Sequence, residues 1–147
     1  MKFFIDAEFN DFGGELISFA LVREDGDWLY LVFGCEAPSE WVAENVMPLL
    51  YKASTSHAAP TVSVSDAPRM IQQFLKDDPS PVVIADWPDD IRHMCDLLIT
   101  GPGMMINIPT IVFQMIRVNA YPTTVEGAIH HNAYWDAMAL RQKFIEL

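Results

Sequence analysis

Hydrophobic and polar positions alternate along the first part of the chain with the period of two that is typical of β-strands. Three such segments follow one another, Lys2–Phe9, Glu15–Arg23 and Trp28–Phe33, and the second is rich in β-branched and aromatic residues. Asp25-Gly26 stands between the second and the third, and this pair favours a tight hairpin turn. The pattern therefore predicts three consecutive antiparallel strands.

Beyond these strands the spacing of apolar residues becomes helical, with one short continuous apolar run. Ser39 and Asp66 are predicted helix caps, and we expect Pro48 to kink or end the helix that Ser39 begins. The predicted elements are a helix over 39–52, a loop over 53–65 that has room for a short strand at its end, a helix over 66–77, a strand over 81–85, a helix over 88–99 and a last helix over 132–147. Residues 104–118 are apolar without a period that separates strand from helix.

This order of elements predicts the fold class. Antiparallel strands followed by alternating strands and helices fit one α/β domain over residues 1–147. We expect a mixed five-stranded sheet, with three antiparallel strands and then parallel ones, and helices on both faces.

The composition is that of an ordinary globular protein, with 51% hydrophobic and 20% charged residues among 147. No apolar run approaches the roughly 20 residues that span a bilayer. Acidic residues enter at Asp6, where a signal peptide would be apolar. Cys35 and Cys95 have apolar neighbours, so we expect two buried thiols in a reducing cytoplasm and no membrane partner.

The net charge of −11 argues against a protein that coats nucleic acid, because phosphate binding normally requires a basic surface. The objection weakens if several carboxylates gather around divalent cations, which present a positive face to phosphate. A different class also fits the composition, an acidic protein that binds a partner through its apolar surface. The eight Met and four Trp would serve such a surface, although these residues more often pack a core.

The first chemical signal is the pair Asp6 and Glu8 on the opening strand. Two residues apart, both carboxylates point to the same side, the side of Phe4 and away from Phe3 and Ile5. Buried like charges are costly unless a cation lies between them. A lone pair of this kind is nevertheless more often a strand end that reaches solvent.

The second signal is the segment 86–90, DWPDD, directly after the predicted strand 81–85. Its three carboxylates stand at the carboxyl end of a strand, where α/β sheets place ligands. Helix capping by Asp86 explains the same segment about equally well.

The third signal is His131 followed by Asp136 at the start of the last helix. A histidine just before a helix is able to lie over a site that an aspartate of the helix helps to build. The alternatives are a surface histidine and an aspartate on an exposed helix face.

In this order and on these elements, the three signals resemble the motifs of the DEDDh-type 3′→5′ exonucleases, which have a ribonuclease H-like fold. The matching residues are Asp6 and Glu8 in FIDAEF, Asp90 in DWPDD, and His131 and Asp136 in HNAYWDA. The last segment is the most specific, because it fits the family's H-x-A-x-x-D-A. The resemblance covers nearly the whole chain and is greatest to the small stand-alone exoribonucleases.

The second motif departs from the family's commonest form, in which His-Asn precedes the aspartate. Here Asp86 stands four residues before Asp90, as in a subset of the ribonuclease members. The resemblance assigns Asp90 as the ligand and Asp86 as an accessory residue, and the choice between the two stays open.

The resemblance implies that two divalent cations, Mg²⁺ or Mn²⁺, are held by four carboxylates and that His131 is the general base. The four ligands would be Asp6, Glu8, Asp90 and Asp136. His130 is expected to be a solvent-exposed or packing residue.

It further implies single-stranded RNA or DNA 3′ ends as substrate, RNA being favoured, and nucleoside 5′-monophosphates as products. Phe9 and Phe12 are candidates for stacking on the terminal base, with a core or hairpin role equally expected. A catalytically inactive binding module on the same fold is the alternative. The apolar stretch 104–116 favours a homodimer.

Overall fold

The computed structural model describes residues 1–53, 61–120 and 125–147. Its elements are strands β1 (Lys2–Phe9), β2 (Leu16–Arg23) and β3 (Trp28–Val32), helix α1 (Glu40–Asn45), a 3-10 turn (Met47–Leu49), helix α2 (Ala67–Leu75), strand β4 (Val82–Ala85), helix α3 (Pro88–Leu97), strands β5 (Ile99–Gly101), β6 (Met104–Met105) and β7 (Val112–Met115), and helix α4 (Ala133–Ile145). No helix in these three ranges has the length and apolar character needed to cross a membrane.

Five strands form one mixed sheet in the order β3-β2-β1-β4-β7. The central strand β1 pairs antiparallel with β2, with Phe3 opposite Arg23 and Glu8 opposite Ser18, and parallel with β4. β3 pairs antiparallel with β2, and β7 pairs parallel with β4. The predicted α/β class and its mixed five-stranded sheet are therefore confirmed.

Helices cover both faces of this sheet. Side chains alternate along β1, so successive residues of this strand pack against helices on opposite faces. Phe3 and Ile5 point into a core that contains Met94 of α3 and buried side chains of α2. Phe4 points to the opposite face and packs with Leu140 of α4. Helix α1 adds its buried valine to that second face. Asp6 and Glu8, in phase with Phe4, thus belong to the face that α4 covers.

The first two helices are shorter than predicted. Ser39 caps α1 by accepting a hydrogen bond from the N–H of Val42 at 3.3 Å, as expected. The helix ends at Asn45 and a 3-10 turn containing Pro48 follows, because proline has no N–H for the next helical bond. Asp66 holds the N-cap position of α2 but its carboxylate accepts from the Ser63 hydroxyl instead, so the predicted side-chain cap is wrong.

The predicted helix over 88–99 is shorter in the structure, and a β-hairpin follows it at Gly101-Pro102-Gly103. Helix α3 ends at Leu97, and β5 and β6 form a two-stranded hairpin around these three residues. The stretch 104–118 contains the strands β6 and β7 and no helix. Its exposed apolar side chains are Met104, Met105, Val112 and Met115.

Two further expectations concern the loop and the thiols. Most of the predicted loop, residues 54–60, lies outside the described residues, while Thr61 forms an isolated parallel bridge with Val32. Cys35 and Cys95 are half-buried and not disulfide-bonded, so the prediction of buried thiols is wrong. The Cys35 thiol reaches the surface and donates to Glu15 at 3.2 Å.

Candidate metal centre

Carboxylates from four parts of the chain meet at one end of the sheet. Asp6 and Glu8 lie on the second half of β1, and Asp86 follows the last residue of the neighbouring parallel strand β4. Asp90 lies in the first turn of α3 and Asp136 in the first turn of α4. Since the carboxyl ends of parallel strands share an edge of the sheet, the fold brings these side chains together.

The carboxylates form two groups that share Asp6. One group contains Asp6, Glu8 and Asp136, and the other contains Asp6, Asp86 and Asp90. Within each group, one oxygen from each residue lies within 4.8 Å of the others. Two adjacent three-carboxylate groups with a common member have the chemistry of a pair of neighbouring cation sites.

Burial makes this concentration of negative charge costly. It raises the pKa of Asp6 well above its ordinary value, and the charges of Asp90 and Asp136 raise it further. Burial, followed by the charge of Asp136, raises the pKa of Glu8 to about 8. Burial, followed by the charge of Asp86, raises the pKa of Asp90 to about 8. Without a cation these groups therefore retain protons near neutrality, and a divalent cation would reverse the shift.

Asp90 has an unsatisfied oxygen. Its side chain is only 2% exposed, and the N–H of Ala7 donates to its carboxylate. No group within the described ranges bonds to the buried Oδ2. Because an unpaired buried acceptor costs about 1–3 kcal/mol, this oxygen is well suited to bind a cation.

The donor set fits hard divalent cations. Both groups offer carboxylate oxygens alone, which suit Mg²⁺ and Mn²⁺ better than the softer metals that prefer thiolate or imidazole. The unsatisfied Asp90 oxygen and the raised pKa values agree with this fit. The two groups together contain all four predicted ligands and, in addition, Asp86. The four predicted ligands are Asp6, Glu8, Asp90 and Asp136.

Two adjacent histidines precede α4 and differ in their contacts. Their ring centroids are 3.8 Å apart. His130 places Nδ1 3.4 Å from Asp136 Oδ1, whereas the ring of His131 lies edge-on to Trp41 with the centroids 5.0 Å apart. Burial, and then the neighbouring His130, lowers the pKa of His131. The neutral imidazole that a general base requires is thus favoured at His131, but the contact with a carboxylate belongs to His130.

Asn132 fixes the backbone directly after the two histidines. The preceding residue, His131, has a positive φ of 60°, and Asn132 then caps α4 by accepting from the N–H groups of Tyr134 and Trp135. The Asn132 side chain is completely buried and donates to the carbonyl of Leu49 at 2.8 Å. Sequence reasoning missed this residue, although asparagine before an apolar helix start is a recognised capping signal.

A cavity of about 630 Å³ opens over the carboxylates and has an aromatic rim. Phe12, Trp41 and Trp87 line it and are 94%, 50% and 46% exposed. Phe9 also lines the cavity, but it packs against the core with its ring 4.9 Å from that of His93. Of the two predicted stacking residues, Phe12 is therefore open to a ligand and Phe9 is largely engaged.

The loop that carries Phe12 is tied to the helix that carries Trp41. Asn10 accepts from the N–H of Ser39 at 2.8 Å and donates to the carbonyl of Ala37 at 3.0 Å. Within the loop, a Cβ on Gly14 would lie 1.6 Å from the Asn10 carbonyl oxygen, so only glycine fits. Both aromatic side chains are thereby held on the same rim.

A second, smaller cavity of about 210 Å³ adjoins Asp6, Asp86, His130 and Asp136. Arg117, just beyond β7, lines it, and sequence reasoning did not single this residue out. The available signal was its position as the first charged residue after the uncharged run 104–116.

Neither a family model nor a curated protein matches this chain in sequence.

Proposed function

We propose that the protein is a metal-dependent 3′→5′ exonuclease of the DEDDh type on a ribonuclease H-like fold. The observation that carries the proposal is the pair of carboxylate groups sharing Asp6, beside two histidines and under an aromatic rim. The sheet order, with the antiparallel hairpin strands on one side of β1 and the parallel strands on the other, also supports it.

In this proposal Asp6, Glu8 and Asp136 hold one divalent cation, and Asp6 and Asp90 hold a second with Asp86 as an accessory ligand. When bound, two such cations neutralise phosphate charge and lower the pKa of water. The carboxylates then serve to fix the position of the scissile phosphodiester. Their buried like charges would be satisfied only in that state.

The proton of the attacking water goes to a histidine. His131 is our candidate, because its lowered pKa keeps the imidazole neutral near pH 7 and it lines the larger cavity. His130 then acts on Asp136, through the contact at 3.4 Å. The attack leaves the phosphate on the released nucleotide, so the products are nucleoside 5′-monophosphates.

The acidic surface favours contact with only the last few nucleotides of a single strand. With a net charge of −11, the protein offers little attraction to a long phosphate backbone. Exposed Phe12, Trp41 and Trp87 offer surfaces on which unpaired bases stack, a contact that tolerates any base. The resemblance favours RNA over DNA.

We also propose that the protein forms a homodimer through the edge strand β7. The run 104–116 carries no charged residue, and Val112 and Met115 of β7 are 52% and 48% exposed. An uncharged apolar edge is a ready surface for pairing between copies. Sedimentation of the wild type and of Val112→Lys tests this, and a wild-type monomer at micromolar concentration would contradict it.

The decisive experiment uses end-labelled single-stranded RNA and DNA, each blocked at the 3′ or the 5′ end. Purified protein with Mg²⁺ or Mn²⁺ should release 5′-monophosphates from strands with a free 3′ end. Asp6→Asn and chelated wild type are the controls and should release none. Cleavage of 3′-blocked strands, or products with a 3′-phosphate, would overturn the proposed direction, and binding without cleavage would favour the inactive module.

A further inference from the structure

Arg117 is an isolated cation beside a strongly acidic site. The chain contains nine Lys and Arg residues against twenty Asp and Glu. Of the nine, Arg117 alone lines either of the two cavities that contain the carboxylate groups. Its position follows from the sheet, because β7 pairs in parallel with β4 and both strands end beside Asp86.

The Arg117 side chain is held in place without an ion pair, although its charge acts on Asp86 and partly offsets the rise that burial causes in the pKa of that carboxyl. Its Nη1 donates to the backbone carbonyl of Asp86 at 2.6 Å, and its guanidinium lies 5.3 Å from the centre of the Trp87 ring. No carboxylate of the described residues forms an ion pair with it, whereas Arg23 and Arg92 each pair with two aspartates. A guanidinium has five N–H donors in a planar fork, and one of them is used here.

Such a group suits an oxyanion that enters from outside. Arginine matches the geometry of phosphate with two parallel hydrogen bonds, and stacking on an aromatic ring orients the fork. Arg117 is exposed, and its bond to the Asp86 carbonyl places it beside the second carboxylate group, in the small cavity that Asp6 also lines. A phosphate bound there would be a neighbour of the one at the carboxylates.

We propose that Arg117, held on Trp87 and the Asp86 carbonyl, binds the backbone phosphate adjacent to the scissile one. The inference rests on the proposed exonuclease function and adds a specificity-determining contact to it. It explains how a protein of net charge −11 engages a polyanion, since one oriented cation would replace a basic groove. The contact would favour chains of three or more nucleotides, which contain a second phosphodiester, over substrates with a single phosphodiester.

The first test is a binding measurement that needs no catalysis. A fluorescent, hydrolysis-resistant phosphorothioate oligonucleotide is titrated with protein at several salt concentrations, with and without Mg²⁺. Arg117→Gln keeps a donor for the Asp86 carbonyl but removes the charge, and should lower affinity about tenfold to a hundredfold. The slope of log affinity against log salt should fall by about 0.7, the value for one single-strand phosphate. Arg69→Gln, an equal charge change on the exposed face of α2, is the control and should change neither.

The second test compares two substrates. Arg117→Gln should reduce kcat/KM for the oligonucleotide, mainly through KM, and by a clearly larger factor than for a p-nitrophenyl nucleoside 5′-phosphate, which has no second backbone phosphate. Arg117→Met is a second variant in case the first does not fold. An unchanged salt slope, or equal losses on both substrates, would overturn the inference. Failure of the wild type to cleave either substrate would instead count against the exonuclease function, and the salt slope would still test Arg117.

Discussion

The two carboxylate groups share Asp6 but satisfy their other members differently. On one side a carboxylate oxygen of Glu8 and one of Asp136 lie within 4.8 Å of each other, and His130 Nδ1 lies 3.4 Å from Asp136 Oδ1. On the other side Asp90 leaves its buried Oδ2 without a partner among the described residues, and the neighbouring arginine contacts a carbonyl instead of a carboxylate.

The two groups therefore differ in how much of their negative charge is compensated by other groups of the protein. A proton shared by Glu8 and Asp136 removes one charge and provides a hydrogen bond, and the nearby histidine helps to limit the pKa of Asp136 to about 6. A proton on Asp90 removes charge but leaves an acceptor unpaired. The group with Glu8 is therefore partly satisfied by the protein alone, whereas the group with Asp90 requires a ligand.

The largest effect on activity is expected at Asp6, the residue that both carboxylate groups share. Asp6→Asn removes a ligand from both groups and should abolish nuclease activity at any concentration of Mg²⁺ or Mn²⁺. Release of labelled mononucleotides measures it. Activity restored by excess Mn²⁺ would mean that Asp6 belongs to one group only.

The next prediction separates Asp86 from Asp90, the two members of the second group besides Asp6. Asp90→Ala should abolish activity, because it removes the buried ligand whose oxygen has no other partner. Asp86→Ala should only weaken activity, since Asp86 is half-buried and accessory. Metal titrations of both variants provide the measurement. An inactive Asp86→Ala with an active Asp90→Ala would reverse the assignment.

The histidines test the first group. His131→Ala should lower kcat by about 10²–10⁴-fold, which is the usual contribution of a general base, and leave metal binding intact. His130→Ala should have a much smaller effect, through Asp136. Both variants are compared at saturating metal, and the opposite ranking would assign the proton transfer to His130.

The sequence pattern predicted those features of the carboxylate site that arise within a single strand or helix. The shared orientation of Asp6 and Glu8 follows from strand alternation alone, and the position of Asp136 follows from the helix that starts near it. The approach of Asp86 to Asp6 depends on the parallel pairing of β1 with β4, residues about 80 positions apart in sequence, which no local pattern contains.

Other features depended on backbone details that residue types do not determine. His131 has a positive φ, an uncommon conformation outside glycine that the sequence pattern does not indicate. Arg117 was missed because the apolar run before it fits a strand or a helix, and only the pairing with β4 makes four of its residues the edge strand β7. The limit was therefore long-range pairing, and not the recognition of acidic residues.

The smallest expected effect is on stability, and it tests whether both groups need a cation. In chelator, Glu8 and Asp90 have folded pKa values of about 8, far above the ordinary carboxylate values near 4. A raised carboxylate pKa means that the folded state binds the proton more tightly, so folding loses stability as pH rises from about 4 to about 8. The melting temperature of metal-free protein should therefore fall across that window.

Added Mn²⁺ should raise the melting temperature by binding the folded state, and most strongly near pH 8, where the carboxylates are deprotonated. Asp6→Asn removes one of the repelling charges, so it should melt higher than the wild type in chelator at pH 7.5 and gain little from Mn²⁺. Asp66→Asn, an exposed acidic residue away from the cavities, is the matched control and should behave like the wild type. Melting curves that coincide for the wild type with and without Mn²⁺ across this pH range would show that the carboxylates do not act as a cation site, because a site built from buried like charges has to respond to the ion that neutralises them.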